Sequence, residues 1–165
     1  VNTQLTHAAA STMPPLKPTA EDLALLAGAQ EAELAARDLY DAGIAATSWS
    51  DEQATLMVTM REAHESYAQS LGAMLGVKAP GVASADVTAA HEGGMSSADA
   101  AAVLAAAGEL EAALVSAHLG FLGQLVAVDG AALVASILMA EGRHGTALAA
   151  LAGATDLAAL LGDEA

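Results

Sequence analysis

A-S-I-L-M-A-E-G-R-H, residues 135–144, places Ile137, Glu141 and His144 three or four positions apart. On a helix that spacing puts them on one face. Val134, Leu148 and Leu151 continue the stripe, so an otherwise apolar face carries a carboxylate and an imidazole inward. Desolvating a carboxylate costs several kcal/mol unless a partner compensates it. The partner must come from other helices, and the rest of the chain supplies three.

Upstream, Leu104, Ala107, Glu111, Leu114, His118, Phe121 and Leu125 form a third-helix stripe, opened by Ser96 with Asp99 and punctuated by Asp129 and Gly130. A second-helix stripe holds Met57, Met60, His64, Tyr67, Leu71 and Met74. It starts at the Ser50/Gln53 capping pair and stops near Gly76. The first helix, from about Glu21, carries Leu23, Leu26, Glu33, Tyr40 and Ile44, with Thr19 and Asp22 as its cap and Gly43 near its end. The segment T-S-W-S, residues 47–50, is a short link, whereas residues 77–96, with Pro80 and little periodicity, read as a long connection. A short tail, residues 156–161, predicts one further turn of helix.

Four amphipathic helices joined by two short links and one long one predict an all-α four-helix bundle in up-down-down-up order, with the long crossover between helices 2 and 3. Residues 1–20 read as a flexible leader and 21–165 as the bundle. The leader begins at Val1 and is polar and proline-containing. That fits a processed chain of the cell envelope or exterior, with the cytoplasm as the alternative.

Composition agrees with a single helical domain. The 165 residues are 55% hydrophobic but only 2% aromatic, so the core must be made of small aliphatic side chains. There is no cysteine, which excludes disulfides, thiolate metal sites and cysteine nucleophiles. Five basic residues against 20 acidic ones give a net charge of −15, which offers neither a phosphate-binding stripe nor attraction to anionic lipid. Nucleic acid is therefore not an expected partner. The longest stretch without formal charge, residues 112–128, contains His118 and Gln124 and reads as a buried helix rather than a membrane span.

Each stripe thus carries an ionisable or hydroxyl group: Glu33 and Tyr40, His64 and Tyr67, Glu111 and His118, Glu141 and His144. Two arrangements satisfy them. Converging carboxylates and imidazoles hold iron, manganese or zinc, or Glu–His and Glu–Tyr hydrogen bonds form a metal-free network. Met57, Met60, Met74 and Met139 read as packing, and His7 and His91 as loop residues in water. Glu31, Asp38, Glu62 and Glu65 read as a solvated acidic face. The Ala- and Gly-rich faces suit close helix approach in a homodimer or a larger complex.

At these residues the chain resembles the bacterial ferritin-like domain family, in particular its exported actinobacterial branch, over about residues 25–153. E-L-A-A-R-D-L-Y, with Glu33 seven residues before Tyr40, is similar to the family's first-helix L-E-Y-L-E-x-x-F-Y. A-S-I-L-M-A-E-G-R-H is similar to its fourth-helix A-x-I-L-x-x-E-x-R-H. The third-helix L-E-A-A-L-V-S-A-H keeps the Glu and has His118 where the family often has Tyr. On the second helix the register of L-x-x-x-L-G, residues 71–76, puts His64 in place of the usual Glu and Tyr67 in place of the usual His.

The resemblance implies a ferritin-like bundle whose metal ligands are Glu33, His64, Glu111, Glu141 and His144. Tyr40, Tyr67 and His118 are implied as neighbours, His118 also as a further nitrogen donor. Iron oxidation or a related oxygen-dependent redox reaction is the implied activity, and a non-catalytic accessory subunit with a vestigial site is the alternative. Two ferrous ions carry four positive charges, whereas this set offers three carboxylates. An exogenous anion completes the site, a single metal binds, or the site is vestigial.

Overall fold

The computed structural model describes residues 17–154. The leader before residue 17, with His7, and the expected turn at residues 156–161 lie outside the described residues. α1 spans Ala20–Ala46, α2 Asp51–Leu75, α3 Ala85–Met95, α4 Ala100–Leu122 and α5 Val128–Leu151, with a 3-10 turn at Gly76–Lys78. No strand occurs among the described residues.

Both capping pairs form. The Asp22 N–H donates to Thr19 Oγ1 at 3.0 Å and the Thr19 N–H returns to Asp22 Oδ2 at 2.8 Å. Ser50 and Gln53 exchange the same two bonds at the start of α2. Asp22 does more than cap. Its Oδ1 accepts from the Val126 and Ala127 N–H groups at 2.8 and 3.4 Å, fastening the start of α1 to the link before α5. These backbone donors, Thr19 foremost, hold its carboxyl below the ordinary 3.8. α2 stops at Gly76, whose φ of +58° is a conformation that side-chain-bearing residues avoid.

Cross-helix pairs give the directions. Gln30, Glu33 and Tyr40 on α1 meet Ala68, His64 and Met60 on α2, so the two run antiparallel. Tyr40 and Glu33 meet Glu111 and His118, so α4 also runs against α1. His118 and Glu111 meet Glu141 and His144, so α5 runs against α4. The up-down-down-up order is the one expected.

The core lies in two apolar clusters. One is centred on Leu39, Met57, Met60, Met95, Val103, Leu110 and Leu114. The other is centred on Leu26, Leu71, Leu75, Val134 and Ile137. Close approach sets part of this packing. A Cβ on Gly43 would lie 3.0 Å from Val103 Cγ1, and one on Gly130 3.3 Å from Leu26 Cδ1. A Cβ on Gly72 would lie 2.5 Å from the amide nitrogen of Gln30. That buried amide bonds Ala68 O on α2 and receives the Gly81 N–H from the connection.

Five expectations are corrected. The connection after α2 is not irregular throughout, because α3 occupies residues 85–95, capped by Ser84, and packs on α1 and α4. Met95 is its one buried residue, too little to make a periodic stripe, and His91 sits on this helix rather than in a loop. α4 is capped by Asp99, which accepts from the Ala101 N–H, and Ser96 instead closes α3. The charge-free stretch is not one helix. α4 ends at Leu122, Leu125 lies in the link, and Asp129 and Gly130 fall in the first turn of α5, where a carboxylate suits the helix dipole. Met139 is not core: two positions beyond buried Ile137, it faces outward and is 60% exposed.

α4 is long and apolar enough to cross a membrane. It also turns Glu111 and His118 into the bundle and packs on α1, α3 and α5. Among the expected surface acids, Asp38 pairs with Arg37 and Glu65 with Arg61, which also binds Asp41.

Candidate metal centre

Six polar side chains meet inside the bundle. α1 contributes Glu33, α2 His64, α4 Glu111 and His118 two turns apart, and α5 Glu141 and His144 one turn apart. All are fully buried except His144, whose side chain is 15% exposed. Every expected ligand is in this cluster, and His118, expected chiefly as a neighbour, stands among the donors. Glu62 and Glu65 stay outside it.

The six form two triads: His64, Glu111 and His144, and Glu33, His118 and Glu141. Within each, one ligand atom per residue lies within 4.8 Å of the others. Glu33 links them. Its Oε2 lies 2.7 Å from His64 Nδ1 of the first triad, and its Oε1 lies 3.6 Å from His118 Nε2 of the second. His64 Nε2 lies 3.1 Å from Glu111 Oε1 and His118 Nδ1 lies 2.8 Å from Glu141 Oε2. Tyr40 donates its hydroxyl to Glu111 Oε1 at 2.6 Å and stacks on the His64 ring. Tyr67 meets His64 edge-on from a half-buried position.

Charge follows from these contacts. Burial opposes protonation of His64, but the bonds to Glu111 and Glu33 outweigh it and push the ring up to about 10. Burial likewise raises Glu111, yet the imidazoles of His144 and His64 hold it down at about 2. Glu141 goes the other way: burial dominates over its bond to His118 and raises it to about 7. The His118 ring is raised by Glu141 against the pull of burial. The Tyr40 hydroxyl, buried beside Glu111, is pushed well above 10.0 and stays protonated.

Those bonds leave part of the cluster unserved. Glu33 Oε1, Glu111 Oε2, His118 Nε2, Glu141 Oε1 and His144 Nδ1 are buried without a hydrogen-bond partner. Orphaned buried polar atoms are rare and costly, and these five are oxygen and imidazole nitrogen donors drawn from both triads. The donor chemistry fits iron, manganese or zinc. Asp22 and Gln30 are further buried polar residues. Asp22 was read only as a cap, and Gln30 was missed, although its spacing from Leu26 and Glu33 places it on the first-helix stripe.

A family model described as a ferritin-like domain matches residues 21–154, which takes in all six donors. No curated protein and no solved structure gives a match.

Proposed function

The chain belongs to the ferritin-like domain family, and from that premise we propose that its bundle binds a pair of divalent iron-class ions and serves Fe(II) oxidation or a related oxygen-dependent redox reaction. The observation that carries the reading is the set of five unpartnered buried donor atoms shared by two adjacent triads. Glu33, Glu111 and Glu141 would supply oxygen ligands, and His64, His118 and His144 nitrogen ligands. Iron bound there would supply one-electron transfer to dioxygen. The protein's own contribution is orientation. Tyr40 occupies Glu111 Oε1 and leaves Oε2 free, and Glu33 turns one oxygen toward each triad. Metal uptake requires neutral rings, so His64 and His118 must release their protons as the ions enter.

Elemental analysis of protein grown with iron and manganese, and purified without a metal-affinity tag, tests the reading. Near two metals per chain is the expected result, and Glu141→Ala with His144→Ala should remove most of it. Iron binding by that double variant equal to the parent's would sink the proposal.

A metal-free accessory subunit is the second reading. The bonds from His64 to Glu33 and Glu111, and from His118 to Glu141, favour it because they already satisfy half of the cluster. Its signature is a melting temperature that neither metal nor chelator moves, since a ligand bound only by the native state must raise stability.

A further inference from the structure

The two triads are unlike in donor atoms, in charge and in enclosure. In the triad of Glu33, His118 and Glu141, every residue keeps one buried atom without a partner: Glu33 Oε1, His118 Nε2 and Glu141 Oε1. The other ring nitrogen of His118 already lies on Glu141 Oε2 at 2.8 Å. Ligating imidazoles ordinarily stand this way, with one nitrogen for the metal and the other held by a carboxylate.

In the triad of His64, Glu111 and His144, the α2 histidine has no nitrogen to spare. His64 Nδ1 lies on Glu33 Oε2 at 2.7 Å and Nε2 on Glu111 Oε1 at 3.1 Å, an oxygen that also receives the Tyr40 hydroxyl. To gain a nitrogen ligand from His64, an ion here must displace one of those bonds. Charge separates the triads as well. Two carboxylates match one divalent ion, whereas Glu111 alone leaves a positive charge over, and uncompensated charge inside a protein is costly. Enclosure separates them again: Glu33, His118 and Glu141 are each 0% exposed, while the His144 side chain is 15% exposed. All three differences favour the same triad.

We infer that the two metal positions are unequal: Glu33, His118 and Glu141 hold a resident ion, and His64, Glu111 and His144 form a weaker, exchangeable position that fills second. This rests on the metal reading above and adds an order to it. Glu33 joins the two positions, since Oε1 faces His118 while Oε2 fixes the ring of His64.

Isothermal titration of the metal-stripped full chain with zinc measures both positions. Two events should appear, the first at least about tenfold tighter than the second. Protein loaded with zinc and then desalted should keep one zinc per chain by elemental analysis. His118→Ala should abolish the tight event, whereas His144→Ala should abolish the weak event and leave the tight one in place. Where His118→Ala loses its helical circular dichroism, Glu141→Gln, of the same shape, tests the same position with the same expected loss. Two equal events in the parent overturn this inference alone, as does loss of the tight event in His144→Ala or its survival in His118→Ala. A single ion per chain overturns it together with the paired-ion part of the metal reading. A parent that takes up no zinc defeats the metal reading and this inference with it.

Discussion

The two triads share α4 and α5 and equally complete burial of their carboxylates, yet Glu111 in one and Glu141 in the other are shifted in opposite directions. In the first, Glu111 is the lone acid, receives the Tyr40 hydroxyl and lies against two imidazoles, and it sits at about 2. In the second, Glu33 gives its bonded oxygen to His64 instead, Glu141 has the His118 ring as its one bonded partner, and Glu141 rises to about 7. Glu111 and Glu141 are each 0% exposed, so burial does not distinguish them. What does is the number of donors per carboxylate, which decides whether a buried acid keeps its charge.

The largest test of that contrast removes each acid in turn. Glu111→Ala strands the Tyr40 hydroxyl and one nitrogen of His64, and breaking such a buried pair costs about 3–5 kcal/mol. Glu141→Ala strands only one nitrogen of His118 and should cost about half as much. Urea unfolding of the metal-free proteins measures both, and equal losses would end the comparison.

Acidity gives the next largest effect. His64 is raised from 6.5 to about 10, so its contribution is complete below 6.5 and is lost as pH rises toward 10. Glu141 is raised from 4.5 to about 7, so the folded state loses stability as pH climbs through that interval. Glu111 is lowered from 4.5 to about 2, so its contribution is lost as pH falls through that range. The melting temperature of metal-free protein should therefore fall by about 5 °C or more between pH 7 and 10, at roughly 2–4 °C per kcal/mol for a chain of this size. Glu141→Gln should flatten the segment between pH 4.5 and 7 and remove the His118 share of the alkaline arm, while the His64 share up to about 10 remains. A variant in which the whole alkaline arm is flat would show that the triads titrate as one.

The tyrosines give the finest test. Tyr40→Phe removes a buried bond to an ionised acceptor and should cost about 1.5–3 kcal/mol by urea unfolding. Tyr67→Phe, at a half-buried position with no hydrogen bond from its hydroxyl among the described residues, should stay within about 0.5 kcal/mol. Similar losses at both would mean that the donor count around Glu111 is not what holds it ionised.

The cluster was legible because buried charge is conspicuous against an apolar stripe. Glu33, His64, Glu111, His118, Glu141 and His144 each interrupt a three-four spacing of Leu, Met, Ala and Val. The four long helices were legible for the same reason, and their order followed from link lengths. α3 was not, because a helix that buries only Met95 leaves no periodic trace. The end of α4 was misread because Asp129 and Gly130 look like punctuation, whereas one serves a helix dipole and the other a contact with Leu26.

The bond between Asp22 and the Val126 amide joins residues 104 positions apart. Each hairpin, α1–α2 and α4–α5, closes through a short link and can assemble from local contacts. The Asp22 bond needs the start of α1 docked on the α4–α5 link, so we expect it to form late in assembly. Interactions absent from the folding transition state govern how fast a protein comes apart rather than how fast it forms. Asp22 is therefore a latch in the kinetic sense: its removal should shorten the lifetime of the folded bundle and leave its rate of formation almost untouched.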